Sequence, residues 1–144
     1  MTDDSFQKFI EELQRKIEYE EEKKYSKAVI SEYRKPNNFC DIKDADAVGK
    51  IKGPCNDTMK ISLKIKNSII TNAFFWTDGC GATIACGSML TKMIKGLNIK
   101  EAYNLTNQKL IEVLDGLPKE HLHCSKLAMD TLKKAIENYN KGKK

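Results

Sequence analysis

Cysteine occurs in three short, widely separated settings in this chain: Gly53-Pro54-Cys55-Asn56-Asp57, Asp78-Gly79-Cys80-Gly81 and Leu122-His123-Cys124-Ser125. Each sets a thiol beside glycine, proline, a carboxylate or an imidazole. A fold that gathered the three segments would offer three soft thiolates plus an oxygen or nitrogen ligand around one open metal site. Cys55 lies two residues before Asp57, and in extended backbone such residues share a face. Cys80 falls between a predicted strand and a predicted helix. There, flanking glycines let N–H groups approach a thiolate, and a helix N-terminus lowers the thiol pKa. His123 can ligate a metal or shuttle protons. Taken singly, each has a plainer reading: Asp57 caps a turn, Cys80 fills a tight corner, and His121 is a surface residue or a neighbour of the site.

The elements that must carry these residues can be read from periodicity. Residues 5–24 repeat apolar side chains (Phe6, Phe9, Ile10, Leu13, Ile17) at helical spacing, with Asp3, Asp4 or Ser5 as a cap. Tyr25 to Arg34 is a second helix, ended before Pro36-Asn37-Asn38. Met59, Ile61, Leu63 and Ile65 alternate with Lys60, Ser62, Lys64 and Lys66, a strand with one wet face. Asn67-Ser68 makes a hairpin turn, Ile69 to Thr77 is the return strand, and Val48 to Lys52 is a third strand. From Gly81 the pattern becomes helical to about Gly96, followed by short helices at Ile99–Tyr103 and Asn107–Leu114. A final helix after Gly116-Leu117-Pro118 carries Leu122, Leu127, Leu132 and Ile136. A strand block followed by a helix block predicts an α+β fold, an antiparallel sheet with helices on one face.

Composition narrows the classes. With 144 residues, 40% of them apolar and 31% charged, the chain suits one soluble domain with a real core. No apolar run is long enough to span a bilayer, and the acidic N-terminus lacks a signal peptide's pattern, so a cytoplasmic location is expected. Five cysteines without a Cys-x-x-Cys pair read as reduced thiols and not as a disulfide framework or zinc ribbon. Residues 1–24 carry a net −3 and the remainder +8. The lysines are dispersed and no aromatic-interleaved basic stripe occurs, so neither a nucleic-acid nor a membrane partner is expected.

The ordered set Tyr25-Ser26, Pro36-Asn37-Asn38, Gly53 to Lys60, Gly79-Cys80-Gly81-Ala82-Thr83-Ile84-Ala85, Leu117-Pro118 and Leu122 to Ser125 resembles the U-type iron–sulfur scaffold family. That family comprises IscU and the N-terminal domain of NifU. The match covers residues 25–140, leaving residues 1–24 as an N-terminal helical extension and 141–144 as a basic tail. The resemblance implies an IscU/NifU-like three-stranded antiparallel sheet with helices on one face, plus the extra N-terminal helix. It implies Cys55, Cys80 and Cys124 as thiolate ligands, with Asp57 and His123 as the fourth ligand in different states. Asp57, a harder oxygen donor, would keep the cluster labile.

The same resemblance implies sulfur delivered as persulfide by a cysteine desulfurase, with Cys124 as acceptor. A [2Fe–2S] cluster would follow and pass to acceptor apoproteins, so the chain would be a scaffold and not an enzyme. Four departures stand out. Asn56 replaces the usual glycine. Leu117-Pro118-Lys119-Glu120-His121 keeps only the opening of the family's stretch for an Hsp70-type chaperone, which weakens the case for that partner. Cys86 and Cys40 stand where small residues are usual, and read as a core side chain and a passive loop thiol. The helix at 5–24 could pack on the body or mediate a homodimer. Two other classes compete: a zinc-binding structural or regulatory protein, and a sulfurtransferase with Cys124 as nucleophile and His123 as base. Zinc in the purified protein would fit both the first of these and the scaffold.

Overall fold

The computed structural model describes residues 2–142; Lys143 and Lys144, the end of the predicted basic tail, lie outside the described residues. Three strands, β1 (Ala47–Lys52), β2 (Thr58–Lys66) and β3 (Ile69–Thr77), form one antiparallel sheet in the order β1-β2-β3. Asn67 and Ser68 both hold positive φ, at 54° and 65°, the twist that matches a two-residue hairpin. The expected alternation places Met59, Ile61, Leu63 and Phe75 in the core, while Lys60 and Lys64 pair with Asp41 and Asp44 outside. Ser62 departs from it. Flanked in register by Val48 and Phe74, it is buried although it sits on the expected wet face.

One face of the sheet is covered by α3 (Gly81–Ile94) and α6 (Leu122–Asn140), with α4 (Ile99–Tyr103) and α5 (Asn107–Val113) completing the helical layer. Gly49 shows how closely α6 lies on β1. A Cβ added there would stand 2.4 Å from the Thr131 carbonyl oxygen and 2.5 Å from the Ala135 nitrogen. Only a residue without a side chain lets the two backbones meet at this crossing, which fixes where the first turn of α6 falls over the sheet's end.

Two helices precede the sheet. α1 (Thr2–Lys24) begins ahead of the expected start, so Asp4 and Ser5 lie within its first turn instead of capping it. Its apolar stripe is exposed: Phe6, Phe9, Leu13 and Ile17 are each about half or more accessible. α2 (Lys27–Arg34) starts two residues later than its periodicity predicts, because Ser26 takes the N-cap and its Oγ accepts from the Val29 N–H at 3.1 Å. Residues 38–40 then run beside β3. Phe75 N donates to Asn38 O and Cys40 N to Phe75 O, both at 2.9 Å, which covers the outer sheet edge.

Candidate metal centre

Three chain reversals at one end of the sheet carry the residues singled out above. The first is the β1–β2 loop. Gly53 N donates to Asp57 O at 2.6 Å and Asn56 N to Gly53 O at 3.1 Å, closing a tight turn that presents Cys55 and Asp57. Asn56 sits at φ 66°, in the left-handed region where asparagine is among the few side-chain residues tolerated. The usual glycine is therefore replaced here by the next most permissive residue.

The second reversal joins β3 to α3. Thr58 N donates to Asp78 Oδ1 at 2.7 Å, and Gly79 N to Thr77 Oγ1 at 3.0 Å, so this corner is tied to the start of β2. Cys80 takes the N-cap position of α3. A Cβ on Gly79 would press on the Thr83 side chain at 2.8 Å, so this glycine makes room for Thr83. The third reversal is a 3-10 turn, Lys119–His121, that runs into α6 and delivers His121, His123 and Cys124.

Cys55, Asp57, Cys80, His121 and His123 line one open pocket of about 530 Å³, with Lys24 and Glu120 at its rim. Cys124 lies beneath, fully buried. The imidazole of His123 has Nε2 at 3.2 Å from Cys55 Sγ and 3.7 Å from Cys124 Sγ. His121 Nδ1 stands 4.0 Å from Cys80 Sγ. The Thr83 hydroxyl is the hub. It donates towards Asp57 Oδ2 at 3.2 Å and Cys124 Sγ at 3.3 Å, and lies 3.7 Å from Cys80 Sγ. It has a single proton, so it satisfies one of the two acceptors at a time. Asp57 Oδ1 is buried without a hydrogen-bond partner. A buried carboxylate oxygen left unpaired is costly unless a cation meets it, so the donor set fits a metal.

The thiols differ in readiness. Burial opposes ionisation of Cys80, but the backbone N–H groups of Thr83 and Ala82 and the Thr83 hydroxyl outweigh it and hold its pKa below the ordinary thiol value. Burial pushes Cys124 up to about 12, with the neighbouring charges of Cys80 and Asp57 adding to the effect and Thr83 opposing it. His121 lies below the usual imidazole value, through burial first and then the nearby Lys24 charge. Cys86 is buried in α3 as a core side chain. Burial, then the charges of Cys124 and Cys80, raise its pKa well above the ordinary value. Cys40 is exposed beside β3, away from the pocket.

All five residues singled out for ligation therefore meet at one end of the sheet, and His121 is a neighbour of that site. Two further participants stood in the motifs of the resemblance without a role at the site. Thr83 had a signal, since it lies three residues after Cys80 on a predicted helix and so on the same face. Tyr25, whose hydroxyl meets His121 Nε2 at 3.2 Å, was quoted only as part of the Tyr25-Ser26 motif, and nothing local pointed to a partner 96 positions away.

The model of the NifU-like N terminal domain matches residues 24–144. The chain is 45% identical over 116 residues to "Iron-sulfur cluster assembly scaffold protein IscU 1" of Archaeoglobus fulgidus, covering 80% of this chain and 76% of that protein. It is 46% identical over 125 residues to the IscU scaffold protein of Buchnera aphidicola subsp. Baizongia pistaciae, covering 83% of this chain and 98% of that one. Among solved structures, the NifU-like protein (N-terminal) from Brucella abortus shares the fold. Its TM-score is 0.62 at 14% identity, covering 81% of this chain and 94% of that one.

Proposed function

The chain belongs to the NifU-like N-terminal domain family, and from that premise we propose that it is a scaffold, not an enzyme, on which an iron–sulfur cluster is built and then given up to apoproteins. The observation that carries this reading is the convergence of three separate reversals, which bring Cys55, Cys80, Asp57 and two imidazoles to one open pocket with Cys124 buried beneath it against Thr83. The cluster is cargo. Three soft thiolates hold iron and sulfide, while Asp57 supplies a hard oxygen that binds them less well, so assembly and release are both feasible at one site. Two irons bridged by sulfide, [2Fe–2S], match a pocket offering four ligands: the three cysteines, with Asp57 or His123 completing the set. Zinc suits the same donors and is the ion expected to occupy them in the absence of iron.

Sulfur would come from a cysteine desulfurase. A Cys124 thiolate attacks the outer sulfur of the enzyme's persulfide, the old S–S bond breaks, and the enzyme's cysteine leaves as thiolate. In the free chain Cys124 is buried and protonated against Thr83, whereas Cys80 is exposed and readily ionised. Delivery to Cys124 therefore requires its contact with Thr83 to open and its proton to leave, as does any turnover by Cys124 as a sulfurtransferase. That sealed thiol favours a scaffold opened by its partner over a free-standing sulfurtransferase.

Anaerobic reconstitution with iron, cysteine and a desulfurase tests the proposal. A sulfide-containing chromophore that is lost on replacing Cys55, Cys80 or Cys124 is expected. Sulfide incorporation indifferent to all three cysteines would reject it.

A further inference from the structure

The pocket is rich in acids and poor in cations. Asp57, Asp78 and Glu120 line it together with Cys55 and Cys80, and Lys24 is the one lysine or arginine among the described residues that do so. A cluster held there by three thiolates and a carboxylate adds further negative charge. Charge of one sign in a partly enclosed site is costly unless a cation faces it. Lys24, the last residue of α1, stands at the rim. Its ammonium lies 5.5 Å from the centre of the Tyr25 ring, and the Tyr25 hydroxyl meets His121 Nε2 at 3.2 Å. His121 Nδ1 is in turn 4.0 Å from Cys80 Sγ. This run of contacts tethers the ammonium on the Cys80 side of the pocket. Its ion-pair partner is Glu120 at 3.6 Å, and the two side chains are 46% and 61% exposed. A pair so exposed contributes little, so a stronger anion in the pocket can take the lysine from it.

We propose that Lys24 is a cargo-binding residue: its ammonium leaves Glu120 and becomes the counter-charge for anionic sulfur cargo held by Cys55, Cys80 and Cys124. The proposal rests on the scaffold reading above and gives the C-terminal end of α1 a part in it. No covalent bond changes and no proton moves; one ion pair is exchanged for another. Glu120 is the internal competitor for the lysine, and salt weakens the exchange.

Alkylation of Cys80 in the metal-free chain is the first test, with iodoacetate as the anionic probe and iodoacetamide as its neutral counterpart. The same thiolate attacks both reagents, so the ratio of their rates cancels any change in thiol pKa and reports the local potential. Mass spectrometry of the Cys80 peptide gives each rate. Lys24→Gln is expected to lower the iodoacetate-to-iodoacetamide ratio about two- to fivefold, and Lys24→Arg to keep it near the parent value. Glu120→Gln should raise it. Lys23→Gln removes an equal charge from a side chain placed over the Tyr19 ring, away from the pocket, and should leave the ratio unchanged. In about 1 M salt the parent and Lys24→Gln should converge. On the reconstituted protein, Lys24→Gln should lower the reduction potential of the cluster, since the added electron no longer meets a cation, and Lys24→Arg should restore it. Equal ratios in the parent and Lys24→Gln, or an equal loss in Lys23→Gln, would overturn the assignment. So would a reduction potential that Lys24→Gln leaves in place. The alkylation ratios need no cluster, so they decide the role of Lys24 even if the parent forms no chromophore, the outcome that would remove the scaffold reading instead.

Discussion

At the scale of single residues, Asp57 and Thr83 decide how the pocket behaves. One Asp57 oxygen is engaged by Thr83 and the other is buried and unpaired, so this carboxylate is held as a strained, hard donor next to soft thiols. Replacing it with alanine removes the weak link. Asp57→Ala is expected to slow cluster transfer to an apoprotein several-fold while leaving assembly intact, followed by loss of the donor's visible absorption; equal transfer rates would count against the role given to Asp57. Thr83 lowers the pKa of both Cys80 and Cys124 through its hydroxyl. Thr83→Val keeps the branched shape and removes the hydroxyl. The midpoint for alkylation of Cys80 by iodoacetamide should then move to higher pH, read by mass spectrometry of the modified peptide. In the parent, Cys80 should react well before the buried Cys86 and Cys124.

At the scale of elements, the site depends on how β1 meets α6, while α1 reaches it only through Lys24 at its C-terminal end. Gly49 allows the backbone contact that sets the start of α6 over the pocket. Gly49→Ala drives a methyl into the backbone at Thr131 and Ala135, and should cost about 1–3 kcal/mol or more by urea unfolding. It should also weaken metal binding, since His123 and Cys124 move with α6. The distal part of α1 presents the opposite case. Its apolar stripe is exposed, and its ties to the body lie near its C-terminal end, where Glu21 pairs with Arg34 and Lys24 with Glu120. Removing residues 1–17 is expected to shift the thermal midpoint by only a few degrees, because none of the described residues there belongs to the core cluster. A collapse of the fold on this truncation would mean that the stripe is buried in solution. Residues 1–24 are accordingly proposed as an extension on a domain whose family match begins at residue 24.

At the scale of the whole molecule, buried acids give the fold an alkaline limit. Cys124 is raised from 9.0 to about 12 by burial and neighbouring charge, and Tyr33 from 10.0 to about 12 by burial and its bond to Glu21. A group whose folded pKa lies above its unfolded value contributes stability that is complete below the unfolded value. That stability is then lost as pH rises through the folded one. Urea midpoints should therefore fall between about pH 9 and 12, and Cys124→Ser should flatten part of that decline. Among the described residues no helix is long and apolar enough to cross a membrane.

The sequence by itself determined the elements and the chemistry on offer. Alternating Met59, Ile61 and Leu63 against lysines specified a strand, Asn67-Ser68 its turn, and the cysteine motifs the ligand types, because these depend on periodicities and residue chemistries confined to a few positions. Ser26 as a cap and Ser62 as a buried residue were less legible, since each depends on partners outside its own element: Ser26 also reaches the Leu114 carbonyl, and Ser62 sits between Val48 and Phe74. Only the tertiary structure decided which imidazole faces which thiol. Neighbouring letters in His121-Leu122-His123-Cys124 diverge because a 3-10 turn gives way to a helix there, rotating His121 towards Cys80 and Tyr25 and His123 towards Cys55. Tyr25, 96 positions away, completes that choice, and a contact of such range is set by packing, which no local pattern encodes.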